Sequence, residues 1–256
     1  YSLAGRLGMR WWISFLDVLL ARIYLVIGNM DACWNHFQLA YEREIKVPED
    51  RIFLLACSIG GQIYRLYGDL KSAKNLFLRG MDPDPQDFGT FENHLYYCLL
   101  LIAEGNPVEA QTRLKKIIED SCGNNLMAIN MPARVILGEV MLFFGQDSEG
   151  SKLQEIVQEI DARKYKISMF YGMGLLAEAK AAHGNKDAAI AIYRSMLSKD
   201  MELQNVWIRI TAYSGLYKLL NSAEEKQKVK KEINKNLALI GEKSTLPPLR
   251  RLYLIY

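Results

Sequence analysis

The sequence predicts an all-α solenoid of stacked antiparallel helix pairs, and three observations predict it. First, Leu54 to Pro85 reads as two helices and a tight turn. Gly61 and Ala73 are small enough to let the helices approach, and Tyr64 and Phe77 fill the space beside them. Gly68 with Asp69 supplies a turn in which a positive φ costs glycine little. Second, the arrangement returns: with Gly68 marking the turn, equivalents stand at Gly28, Gly105, Gly145 and Gly184, at intervals of 40, 37, 40 and 39 residues. Third, no stretch alternates apolar and polar residues long enough for a sheet. One helix pair cannot bury its own apolar face, so pairs repeated at a fixed period stack and bury it against each other.

The elements follow in order. Residues 9–27 and 30–45 form the first pair, with Ala21, Tyr24, Cys33, Phe37 and Ala40 at the repeated offsets. Trp11, Phe15, Leu19 and Arg22 follow helical spacing, which predicts a buried first helix. Residues 51–67 and 70–81 are the second pair, and the prolines of Met81–Asp87 break helix after it. Residues 89–104 and 107–120 are the third, with Cys98, Leu101, Ala110, Leu114 and Ile117 at the offsets. Pro107 stands where a helix begins, a position proline tolerates. Ser121 to Asn130 reads as a connector.

Residues 131–144 and 148–161 are a degenerate fourth pair, which keeps Leu137-Gly138 but carries Gly150 and Gln154 in its second helix. Residues 167–183 and 186–198 are the fifth, with Ala177, Lys180, Ala189, Tyr193 and Met196 in register. A weaker sixth spans 203–220 and 223–240, with its turn near Asn221-Ser222. Residues 241–256 are read as a C-terminal cap, a helix after Pro248 packed on 223–240, or as the start of a further repeat. The array thus covers 1–256 as a single, elongated solenoid domain with no one central core.

Half the residues are hydrophobic, about a quarter are charged and the net charge is +3, which is ordinary for a globular chain and gives no ground for nucleic acid as a partner. The most basic stretch, 221–251, holds eight basic and four acidic residues, and its interleaved Glu224, Glu225 and Glu232 suit a solvated helix face. The apolar start is interrupted by Arg6, Arg10, Asp17 and Arg22, so no membrane span is expected. The chain does not begin with Met and is taken as a piece of a longer protein, entered partway through an array. Four scattered cysteines (Cys33, Cys57, Cys98 and Cys122) read as free thiols, and a reducing, cytoplasmic setting follows.

Chemistry-bearing patterns are sparse. His94 with Cys98 and Cys33 with His36 have helical ligand spacing, but they lie two repeats apart and the repeat already explains both cysteines, so no metal is expected. Gly172-Met-Gly174-Leu-Leu-Ala177 matches a dinucleotide fingerprint only superficially, because Ala177 is the small residue of a repeat helix. No G-x-S-x-G, Walker loop or His-Glu-x-x-His occurs, so neither an enzyme nor a cofactor is expected.

Gly61, Tyr64, Gly68, Ala73, Phe77, Gly80 and Pro85 fall at offsets 0, 3, 7, 12, 16, 19 and 24, and this spacing resembles the tetratricopeptide repeat. The period of about 39 residues exceeds the usual ~34. In this it is similar to the superhelical sensor repeats of the bacterial maltose-regulon activator and related signal-transduction ATPases, and similar arrays occur in eukaryotic scaffold subunits. The resemblance implies a right-handed superhelix of about six repeats whose first helices line a concave groove. Mapped onto this chain, the groove positions are Arg22, Gln62, Arg65, Glu139 and Glu178. The implied function is a protein–protein interaction scaffold holding a peptide or partner protein in that groove. The alternative is the ligand- or signal-sensing C-terminal domain of a multidomain transcriptional regulator or signal-transduction ATPase, with a small-molecule ligand.

Overall fold

A computed structural model describes residues 10–46, 51–82, 87–147, 149–200 and 205–240. Twelve α-helices and no strand occur among them. They are α1 (Arg10–Ile27), α2 (Met30–Glu44), α3 (Arg51–Leu66), α4 (Leu70–Arg79), α5 (Phe88–Ala103), α6 (Pro107–Gly123), α7 (Met127–Phe143), α8 (Ser151–Ala162), α9 (Lys166–Ala182), α10 (Lys186–Lys199), α11 (Val206–Leu219) and α12 (Ala223–Ile240). Odd-numbered helices pack on the even-numbered helix that follows, and each pair packs on the next, as in an α-solenoid.

The turn within a pair is a two-residue device. Gly28, Gly68, Gly105 and Gly184 take φ of +77° to +81°, a conformation that side chains disfavour. The next residue caps the second helix: Asn29, Asp69, Asn106 and Asn185 each accept a hydrogen bond from the backbone N–H three residues on. In the fourth pair Gly145 is followed by Gln146, which cannot cap in this way. Asp147 takes over, accepting from Lys152 N at 3.2 Å and Leu153 N at 3.0 Å, so α8 starts only at Ser151. Gly150 therefore lies before that helix with φ +73°, whereas the sequence suggests it inside.

Close approach within pairs rests on the small residues. Ala21, Ala73, Ala110, Ala177 and Ala189 are fully buried, as are Cys33 and Cys98. A Cβ on Gly61 would sit 2.3 Å from Phe77 Cε1, so glycine is required where α3 meets α4. Gly172 and Gly174 lie inside α9, and a Cβ on Gly172 would fall 2.6 Å from Val157 Cγ2. They serve helix packing and form no phosphate loop.

Three expectations need correction. The connector at 121–130 is mostly helical: α6 runs on to Gly123, and α7 begins at Met127, with Asn125 (φ +55°) making the reversal. Asparagine tolerates that conformation, which is why no glycine or proline marks the turn. The first helix is buried on a different face: Ser14, Asp17, Val18, Ala21 and Leu25 face the core, while Trp11 and Leu19 are exposed. Its partners are α2 and α3, and Asp17 is held there by Arg43 and by His36 Nδ1 at 2.7 Å.

The third correction concerns the ends of the array. Odd-numbered helices form an inner wall, α1 on α3, α3 on α5, α5 on α7, α7 on α9 and α9 on α11, and α11 returns to touch α1. Val206 fills the space left by the missing side chain of Gly28, where a Cβ would come 2.5 Å from Val206 Cγ1. Val206, Ile210 and Ile240 share one apolar core with α1–α3. The described array is a closed ring of helix pairs. The expected packing of a tail helix on 223–240 falls outside the described residues.

Candidate functional site

Closing the ring turns the groove into a central cavity of about 390 Å³. From α1 come Arg22, Leu25 and Val26, and from α3 Gln62, Arg65 and Leu66. Glu92, Tyr96 and Leu99 come from α5, Ile136 from α7, and Phe170, Tyr171 and Gly174 from α9. Ile167 and Ser168 of α9, Met196 of α10, Asn205 and, from α11, Trp207, Ile208 and Thr211 complete it. The lining is mostly apolar, with a few polar side chains pointing inward from different helices.

The polar side of the cavity is an organised network. Glu92, 4 % exposed, accepts from Arg22 Nη2 at 2.6 Å and from Ser58 Oγ at 2.9 Å. Burial opposes the charge on Arg22, but the neighbouring Glu92 outweighs it and the guanidinium pKa is raised. Tyr96 stands beside these residues in the lining. Burial and the charge of Glu92 push its hydroxyl pKa up, against the opposing pull of Arg22 and Arg65.

Behind the cavity wall sits a second polar group. The Tyr171 hydroxyl donates to Glu139 Oε2. Burial, reinforced by the charge of Glu178, pushes the Glu139 carboxyl up to about 7, although the Tyr171 bond and Arg65 pull it down. Burial also raises Glu178, opposed by Lys218.

The five groove residues named from the sequence stand differently toward this cavity. Arg22, Gln62 and Arg65 line the cavity directly. Glu139 reaches it through Tyr171, and Glu178 lies near enough to Glu139 to act on its charge. Four of the five (Arg22, Gln62, Glu139 and Glu178) stand six residues before the turn glycine of their pair, and the equivalent residue of the third pair, Leu99, also lines the cavity.

The sequence reading missed Glu92, Tyr96, Ile136, Tyr171 and Gly174, which stand nine to thirteen residues before their turn glycines, one or two helical turns deeper on the same face. That periodicity was the available signal. No comparable signal marked Asn205 and Trp207, which reach the cavity only because the ring closes.

The metal-like pairs are otherwise engaged. Burial pushes the Cys33 and Cys98 thiols up to about 12. His36 bonds Asp17, and His94 Nε2 lies 2.7 Å from the Asp82 carbonyl oxygen. No cluster of three or more such ligands occurs among the described residues. The four cysteines are free, with Cys122 exposed. No helix among the described residues is long and apolar enough to cross a membrane. Comparison with protein-family models, with curated proteins and with solved structures returns no match.

Proposed function

We propose that this chain is a non-catalytic, tetratricopeptide-like sensor module whose central cavity holds a small organic ligand, apolar over most of its surface and polar or anionic at one end. In this reading six repeats wind into a right-handed superhelix that serves as one domain of a multidomain regulator or signal-transduction ATPase. The observation that carries it is the convergence of all the odd-numbered helices on one cavity of about 390 Å³. That volume lies in the ~300–1,000 Å³ range of small-molecule sites, and an apolar lining with a few convergent polar groups suits such a ligand. Leu25, Val26, Phe170 and Ile208 offer the apolar wall, and Arg22, Arg65 and Gln62, with Glu92 paired to Arg22, the polar end. Because the lining comes from both ends of the array, an occupant would tie α1 to α11, which gives the module a means of reporting occupancy. Buried free thiols suit a reducing, cytoplasmic compartment.

The same cavity supports a second reading, a scaffold that takes a peptide or partner protein. Polar groups on several helices, among them Gln62, Glu92 and Asn205, favour it, since they could bond a peptide main chain. The two readings differ at Trp207→Ala, which opens the ring. Opening should weaken capture of a small ligand and ease entry of a peptide.

The test is a titration with 1-anilino-8-naphthalenesulfonate, an aromatic probe with an anionic group. A single saturable site is expected in the wild-type chain. It should be lost in both Ser168→Trp and Thr211→Trp, which fill the cavity from half-buried positions, with helix content unchanged. Saturable binding that survives both substitutions, or no saturable binding at all, overturns the proposal.

A further inference from the structure

Glu139 is a buried carboxyl joined to the cavity wall on two sides. It lies one helical turn beyond Ile136, which lines the cavity from α7, and it is 9 % exposed. The Tyr171 hydroxyl, part of the lining, donates to its Oε2. Arg65, also in the lining and buried, draws the same carboxyl toward its charged form. The lining itself carries two guanidiniums, Arg22 and Arg65, against one carboxylate, Glu92, which accepts from Arg22 Nη2 at 2.6 Å. That balance of charge favours an anion as occupant.

We propose that the cavity takes its ligand as an organic monoanion and takes up one proton with it, on Glu139, a coupling that rests on the small-ligand reading above. An anion beside Arg65 and an ionised Glu139 repel each other across a low-dielectric interior, and both draw on the same guanidinium. The bound anion therefore raises the proton affinity of Glu139, and by reciprocity a proton on Glu139 raises the affinity for the anion. Burial and the charge of Glu178 already hold the Glu139 carboxyl up at about 7, so the exchange falls near neutral pH.

The groups around α7 on each packed element leave this role to Glu139. From α9, Tyr171 and Glu178 act on it, and Lys218 of α11 opposes the upward shift of Glu178. From α5, Glu92 and Tyr96 face the same cavity, and Glu92 is engaged by Arg22 and Ser58. On α8, Glu159 is paired with Arg134 of α7 at 2.7 Å. Between α6 and α7 lies an apolar core in which Ala110, Leu114 and Ile117 join Ile129, Ala133 and Ile136. Glu139 is the carboxyl that Tyr171 links directly to the cavity.

The experiment is calorimetric titration with two probes. 1-Anilino-8-naphthalenesulfonate keeps its sulfonate ionised near neutral pH, so a proton taken up on binding goes to the protein. Its affinity for the wild-type chain should be roughly tenfold weaker at about pH 8 than at about pH 6. Binding at about pH 8 should take up close to one proton, read from the heats in two buffers of different ionisation enthalpy. N-phenyl-1-naphthylamine, the same ring system without the sulfonate, should bind equally at both pH values. The two affinities for the sulfonate should converge in Glu139→Gln and stay apart in Glu178→Gln. Equal affinities in the wild-type chain overturn the coupling and leave the small-ligand reading standing. A difference that survives Glu139→Gln, or one shared by the uncharged probe, overturns it too. No saturable binding of the sulfonate overturns both. The wild-type affinities and proton count decide the matter even where a variant fails to fold.

Discussion

The indole Nε1 of Trp207 donates to the backbone carbonyl of Leu25 across 2.6 Å, a hydrogen bond between residues 182 positions apart. Repeat arrays are held by contacts between neighbours, so a bond of this span is foreign to an open solenoid. Here it stands beside Val206 over Gly28 and makes one closed ring of the helix pairs.

Trp207→Phe keeps an aromatic ring and removes the donor. The expected loss is about 1 kcal/mol in urea denaturation, the net worth of one such bond. Faster amide exchange at the C-terminal end of α1 should accompany it. If α1 exchange and stability are both unchanged, the ring is open in solution.

Two glycine-to-alanine substitutions should have opposite signs. Gly61→Ala puts a methyl 2.3 Å from the Phe77 ring and should cost ~1–3 kcal/mol by overpacking. Gly123→Ala, at the exposed end of α6 with nothing within 4 Å, should gain roughly 0.4–1 kcal/mol by restricting the unfolded chain. Ala73→Leu, at a fully buried contact, belongs with the first and should cost a similar ~1–3 kcal/mol. Thermal melts of the three variants measure these signs.

Glu139 makes stability depend on pH. Its carboxyl is pushed from the ordinary 4.5 up to about 7, so between those values the folded chain binds more protons than the unfolded one. Its contribution is therefore fully present below about pH 4.5 and is lost as pH rises through about 7, a change on the order of 3 kcal/mol. Glu139→Gln cannot ionise and should flatten that part of the profile. Denaturation midpoints followed from acid to neutral pH test this, and equal slopes for the two proteins would refute it.

Arg22 and Glu92 should behave as a coupled pair. Arg22→Ala leaves a buried carboxylate with Ser58 as its one remaining hydrogen-bond donor in this network, at a cost of roughly 1–3 kcal/mol. Adding Glu92→Gln should recover part of it, with a coupling of about 0.5–3 kcal/mol in a double-mutant cycle. Strict additivity would show that the ion pair is not formed.

The sequence by itself determined the local design of this protein. Turn glycines recur every 37 to 40 residues, with a small residue five positions after them at Cys33, Ala73, Ala110 and Ala189 and aromatic fillers such as Phe77, and these short-range rules shape each helix pair. The inward positions Arg22, Gln62 and Arg65 came from the resemblance to the tetratricopeptide repeat, and all three line the cavity. Where a local rule was carried by a less usual residue, Asn125 in place of glycine or Asp147 in place of a cap beside Gly145, the boundaries shifted by several residues.

The tertiary structure alone decided that the array closes. Closure depends on the sum of small rotations from pair to pair, and no single residue encodes that sum. It is what brings Trp207 to Leu25 and makes one cavity of the inward faces of the odd-numbered helices.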